Sequence, residues 1–105
     1  MSNKAKKQKK TVVINTKSWG RGNYISDCGK CCALGFAYRQ LVDPNITNSQ
    51  CYKTLLQNGL DNITIEYKGT TLGIPDINDD IKDYKLRRNL LKKLFKKAGF
   101  RLLFK

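Results

Sequence analysis

The side chains with the most intrinsic reactivity are four cysteines, Cys28, Cys31, Cys32 and Cys51. They form one Cys-x-x-Cys pair, one adjacent pair and one distant thiol. A zinc site built from cysteines normally uses two Cys-x-x-Cys knuckles. Here the second knuckle is missing, and the adjacent side chains of Cys31 and Cys32 diverge on a helix. Cys28, Cys31 and Cys51 with one further ligand are the remaining metal option. A Cys-x-x-Cys that follows a strand and opens a helix also has the placement of a thioredoxin-like redox pair. The parallel strand–helix–strand pattern of that fold is not evident. The N-terminus lacks the apolar run of a signal peptide, so a reducing compartment is expected and structural disulfides are disfavoured. The simplest reading makes Cys31, Cys32 and Cys51 small buried apolar residues.

The acids offer a second kind of chemistry. Asn78, Asp79 and Asp80 lie close to Asp76 and have the oxygen donors that a hard cation prefers. The same run reads as an N-cap cluster that satisfies the free N–H groups of a helix. A hydrolase using these acids with Cys32 would lack a general base near neutral pH. The chain has no histidine, which excludes Ser-His-Asp and Cys-His catalysis built from this chain alone. No catalytic residue, metal or cofactor is therefore assigned.

Charge is the stronger signal. In 105 residues, 21 Lys and Arg oppose 8 Asp and Glu, for a net +13. Residues 1–10 hold five lysines and no acid, residues 81–105 hold ten bases and one acid, and the segment between is nearly neutral. About 2–8 charges keep a small domain soluble, so the excess points to a polyanionic partner. The candidate contacts are Lys6, Lys7, Lys9 and Lys10 in the tail and Lys85, Arg88, Lys92, Lys93 and Lys96 near the C-terminus. Arg88, Lys92 and Lys96 form a like-charge row at i,i+4 spacing, which costs helix stability unless something anionic covers it.

The elements that must position these residues can be read from periodicity. The length allows one domain, 11–105, after a basic tail, 1–10, expected to be disordered. Thr11 to Thr16 is β-branched and reads as a strand. Tyr24-Ile25-Ser26 is a possible short second strand. A helix begins near Cys31 and stops before Pro44, and Gly35 inside it implies close approach to another backbone. Thr47 or Asn48 caps a helix running to Gln57. Asn62 to Lys68 alternates as a strand, with Ile63, Ile65 and Tyr67 on one face, although Asn58-Gly59 could start a hairpin. Thr70 to Asp76 reads as a loop around Pro75. A last helix spans about Asp80 to Ala98, with Leu86, Leu90, Leu91, Leu94, Phe95 and Ala98 on its apolar half. Gly99 ends it, and Phe100 to Phe104 forms a terminal strand. The expected fold is α+β: a small antiparallel sheet of three or four strands under about three helices, first and last strands adjacent. No stretch approaches a membrane span.

Three short motifs, Thr16-Lys17-Ser18-Trp19, Cys31 to Phe36 and Ile77-Asn78-Asp79-Asp80, occur in an order that resembles a group of small bacteriophage and prophage proteins of unassigned function. The resemblance covers roughly residues 12–104 and implies a phage origin and an α+β fold, with no activity attached. The chain departs from that group in its Lys-rich tail and basic last helix, where the others tend to be acidic.

Together these readings describe a non-enzymatic phage accessory protein in the host bacterial cytoplasm. Its partner would be nucleic acid or an acidic protein surface, such as that of a host defence protein. One alternative is a minor virion or packaging-associated protein; another is a cysteine- or metal-dependent enzyme. Sequence-specific DNA recognition is not indicated, because lysines address phosphates rather than base edges.

Overall fold

β-Branched residues open the first strand, β1 (Lys10–Ile14), and its alternation buries Val12 and Ile14 while Thr11 faces solvent. The structure, a computed structural model, describes residues 10–27 and 29–105. Lys6, Lys7, Lys9 and Cys28 lie outside the described residues, as does the rest of the expected disordered tail up to residue 9. Lys10 belongs to the strand.

After a 3-10 turn at Thr16–Ser18 the chain reaches α1 (Ala33–Leu41), where the Cys32 Sγ accepts from Gly35 N–H at 3.4 Å and so caps the helix. The expected approach of backbone to Gly35 is present: a Cβ there would lie 1.9 Å from the Tyr24 carbonyl oxygen. Tyr24 to Ser26 forms no strand; Ile25 makes only an isolated bridge to Cys31. Thr47 caps α2 (Asn48–Tyr52) in a reciprocal capping box with Gln50. That helix is shorter than its sequence suggests, giving way to a second 3-10 turn at Gln57–Gly59.

β2 (Thr64–Tyr67) and β3 (Thr70–Gly73) pair antiparallel in a hairpin. Its two-residue turn is Lys68-Gly69, both at positive φ, rather than Asn58-Gly59. The expected loop at Thr70 to Asp76 is thus a strand followed by α3 (Ile74–Asp80). Pro75 starts this helix instead of breaking it, because its missing N–H falls where no intrahelical partner exists. Asp76 Oδ2 accepts from Gly73 N–H at 2.9 Å to complete the turn. α4 (Tyr84–Lys97) starts later than expected and is capped by Asp83, whose Oδ1 accepts from Leu86 N–H at 2.9 Å. Asn78, Asp79 and Asp80 are therefore not its N-cap cluster.

β4 (Phe100–Phe104) closes the chain. It lies against β1, with Val12 opposite Leu102 and Ile14 opposite Phe104. The first and last strands are neighbours as expected, but they run parallel. A parallel pair needs a long crossover, and here the whole body of the chain supplies it. The fold is α+β with four helices and two two-stranded sheets among the described residues, rather than one antiparallel sheet of three or four strands. The core joins Val12, Ile14, Phe100 and Leu102 to α1 and to Leu90, Leu91, Leu94 and Phe95 of α4.

Candidate functional site

α4 carries two faces because its apolar residues repeat every three to four positions. Leu90, Leu91, Leu94 and Phe95 are buried, which turns Lys85, Lys92, Lys93 and Lys96 outward. The tight Gly99 turn folds β4 back alongside the helix, with Gly99 at φ +91°. This return brings the Arg88-Lys92-Lys96 row against the strand. The Arg88 guanidinium lies 4.9 Å from the Phe104 ring centroid and 5.4 Å from that of Tyr84, and Lys92 Nζ is 5.9 Å from Phe104. Among the described residues no carboxylate pairs with Arg88, Lys92 or Lys96, and the buried Arg88 Nε has no hydrogen-bond partner.

A groove of about 550 Å³ runs between this row and β4. Lys92 and Lys96 line it from the helix; Phe100, Arg101, Leu102 and Leu103 line it from the strand, and Thr11 from β1. The structure thus brings Lys92 and Lys96 into one site and sets Arg88 beside it. Lys85 lies nearly above Lys92, two turns earlier on the helix. Lys93 points about 100° away from Lys92, onto the flank it shares with Lys97, whose Nζ donates to the Thr64 carbonyl at 2.8 Å. Lys10 is engaged elsewhere, donating to Gln57 Oε1 at 2.6 Å. Sequence reading missed Arg101, Tyr84 and Phe104. The period-two pattern of Phe100 to Phe104 already marked Arg101 as an outward position between two buried ones.

The two edges of the parallel sheet differ. On β1, Val13 N–H donates to Gln40 Oε1 at 2.8 Å and the Val13 carbonyl accepts from Gln40 Nε2 at 2.7 Å. One side-chain amide thus stands in for a neighbouring strand. On β4, Lys105 N–H donates to the Ile14 carbonyl at 2.9 Å and the Lys105 carbonyl accepts from Thr16 N–H at 2.7 Å, so Lys105 faces β1. Alternation then turns Arg101 and Leu103 toward β1 and turns the backbone groups of Leu102 and Phe104 away. Among the described residues no strand or side chain pairs with that outer edge.

The other candidate chemistry has structural employment. Asn78 is fully buried; its Oδ1 accepts from Trp19 Nε1 at 2.6 Å and from Ala33 N–H at 3.0 Å. Its Nδ2 donates to the Gly20 carbonyl at 3.0 Å and to Asp79 Oδ1 at 2.9 Å. Asp79 Oδ1 also accepts from Gly22 N–H at 3.1 Å. Asp76 is occupied at Gly73, so the run 76–80 does not converge as a cation cage, and no metal-binding group of three such side chains occurs among the described residues.

Cys31, Cys32 and Cys51 are free and buried, as small apolar residues would be. Burial pushes the Cys32 thiol up to about 11, against hydrogen bonds from Gly35 and Leu34 that lower it. Burial raises Cys31 and Cys51 as well. These thiols are held protonated, the opposite of an activated nucleophile. No helix among the described residues is long and apolar enough to cross a membrane. No protein-family model, curated protein or solved structure matches the chain.

Proposed function

We propose that this protein acts by binding, without catalysis, and that it docks an anionic partner on the α4–β4 face. The observation that carries this reading is the Arg88-Lys92-Lys96 row, which has no carboxylate partner among the described residues and borders the groove. Like charges at i,i+4 spacing destabilise an isolated helix, and an acid at position 89 or 93 would have relieved them at little structural cost. Instead those positions hold Asn89 and Lys93. The net +13 adds long-range attraction that steers an anionic partner toward the protein. With the phage origin implied by the Cys31 to Phe36 segment, the partner is a nucleic acid or an acidic host protein met in the bacterial cytoplasm.

Binding of a thymidine oligonucleotide and of poly-glutamate across a salt series tests this reading, with the Lys92→Glu/Lys96→Glu variant alongside. The expected result is that at least one polyanion binds at low salt and weakens steeply as salt rises. For the oligonucleotide, the slope of log K against log salt should flatten by about two in the variant. Failure of both polyanions to bind at low salt would overturn the reading.

A further inference from the structure

We infer that the groove beside β4 takes an extended, acidic polypeptide segment, which adds a strand to the outer edge of β4. The inference rests on the anionic-partner reading and names the class of partner. An edge that presents unpaired backbone groups is a template for another chain. The two edges of this sheet make the point by contrast: the amide of Gln40 satisfies β1, while β4 is left open.

The chemistry of the open edge distinguishes polypeptide from nucleic acid. Leu102 and Phe104 each turn one N–H and one C=O outward, so donors and acceptors alternate along the strand. A polypeptide backbone supplies the complementary alternation. A phosphate backbone supplies acceptors alone and would set its negative oxygens against the outward carbonyls. The walls then specify side chains. Lys92 and Lys96 stand on the helix side, and Arg101 and Leu103 on the strand side. Leu103 is 38 % exposed, an unusual position for leucine on a two-stranded sheet with an open face. Because side chains on an added strand alternate, acidic residues would meet the lysines while apolar ones lie along Leu103. β4 has five residues, so the paired stretch extends about 17 Å. A second copy of this chain is a poor occupant, since pairing two β4 edges would bring two cationic rows together.

The test uses the full chain and a peptide of alternating Glu and Val, with amide hydrogen exchange read by NMR. On peptide binding, the Leu102 and Phe104 amides should slow while those of Arg101 and Leu103, already turned to β1, stay unchanged. The same peptide N-methylated at alternate residues keeps its charge and should bind about tenfold more weakly, or worse. Binding of the first peptide without slowing of Leu102 and Phe104, or equal affinity of the methylated one, would overturn strand addition. A thymidine oligonucleotide that binds where the peptide does not would leave the anionic-partner reading standing and remove this inference. If neither binds, both fall. Edge amides already slow in the free protein would also overturn it: loss of that protection on dilution would identify a second copy, and persistence would identify the chain's own residues as the occupant.

Discussion

The Asn78 junction and the α4–β4 edge are both polar, and they differ in whether the protein completes its own bonds. At Asn78, one buried side chain gathers Trp19, Gly20, Ala33 and Asp79, and both ends of its amide are used. At the edge, three cations stand in a row without a carboxylate, a guanidinium nitrogen is unpartnered, and the outer side of β4 has no neighbour among the described residues. Buried polar groups that are fully satisfied hold a fold together, and their loss is costly. Polar groups left incomplete at a surface mark where something else is meant to arrive. The motif that looked most chemical, Asn78-Asp79-Asp80, belongs to the first kind.

The largest effect therefore belongs to Asn78. Replacing it in Asn78→Ala strips partners from Trp19 Nε1, Ala33 N–H and the Gly20 carbonyl, and should cost about 3–4 kcal/mol. Urea unfolding followed by tryptophan fluorescence measures it directly, because Trp19 is the only tryptophan. A loss below about 1 kcal/mol would mean that water replaces the amide, and the contrast between the two regions would weaken. Asn78→Asp sharpens the point. It keeps the acceptor, loses the donor to Gly20, and places a second carboxylate beside Asp79.

The second effect depends on pH and resides next to that junction. Burial holds the Cys32 thiol protonated up to about 11 in the folded protein, against 9.0 when exposed. Below about pH 9 the thiol is protonated in both states and its stabilising contribution is complete. As pH rises through about 11 that contribution is lost, because unfolding releases the proton first. Two pKa units correspond to about 2–3 kcal/mol. Cys31, Cys51, Tyr24 and Tyr38 are raised by burial too and add in the same direction. Urea midpoints under reducing conditions should therefore fall between pH 8 and pH 11, and Cys32→Ser should flatten its share of the slope. A midpoint independent of pH would show that these thiols are open to water.

Much of this organisation was legible in the residues. The period of α4, the burial of Cys31, Cys32 and Cys51, the close approach at Gly35 and the adjacency of β1 and β4 all followed from local chemistry. What local chemistry does not encode is long-range partnership. The parallel direction of β1 and β4 depends on the path of the whole intervening chain, and the hairpin Thr64 to Gly73 stands apart from that sheet. Pro75 was legible as a breaker or as a first helical residue, and only the neighbouring Gly73–Asp76 bond decides between them. Asn78 looked like a cap because caps and buried hubs use the same side chain. Its burial is set by Trp19, fifty-nine positions away. The basic row was visible on the helical wheel; the open edge beside it was not, because Gly99 fixes that geometry only once the strand has found β1.

The smallest effect has the most informative sign. In a surface helix that merely keeps the protein soluble, lysines contribute to stability or leave it unchanged. Here Lys92 and Lys96 repel each other and Arg88 at i,i+4 spacing, so Lys92→Gln/Lys96→Gln should raise stability by a few tenths of a kcal/mol. The gain should vanish in about 1 M salt, where screening operates within roughly 3 Å. Chemical denaturation in urea, which adds no ions of its own, resolves such a difference when mutant and parent are run side by side at low and high salt. A loss of stability instead would make the Lys92 contact with Phe104 the reason for the lysine, and the row would join Asn78 as part of the fold. A gain in stability accompanied by loss of polyanion binding would place the two regions on opposite sides of one trade, with stability given up at the edge where a partner docks.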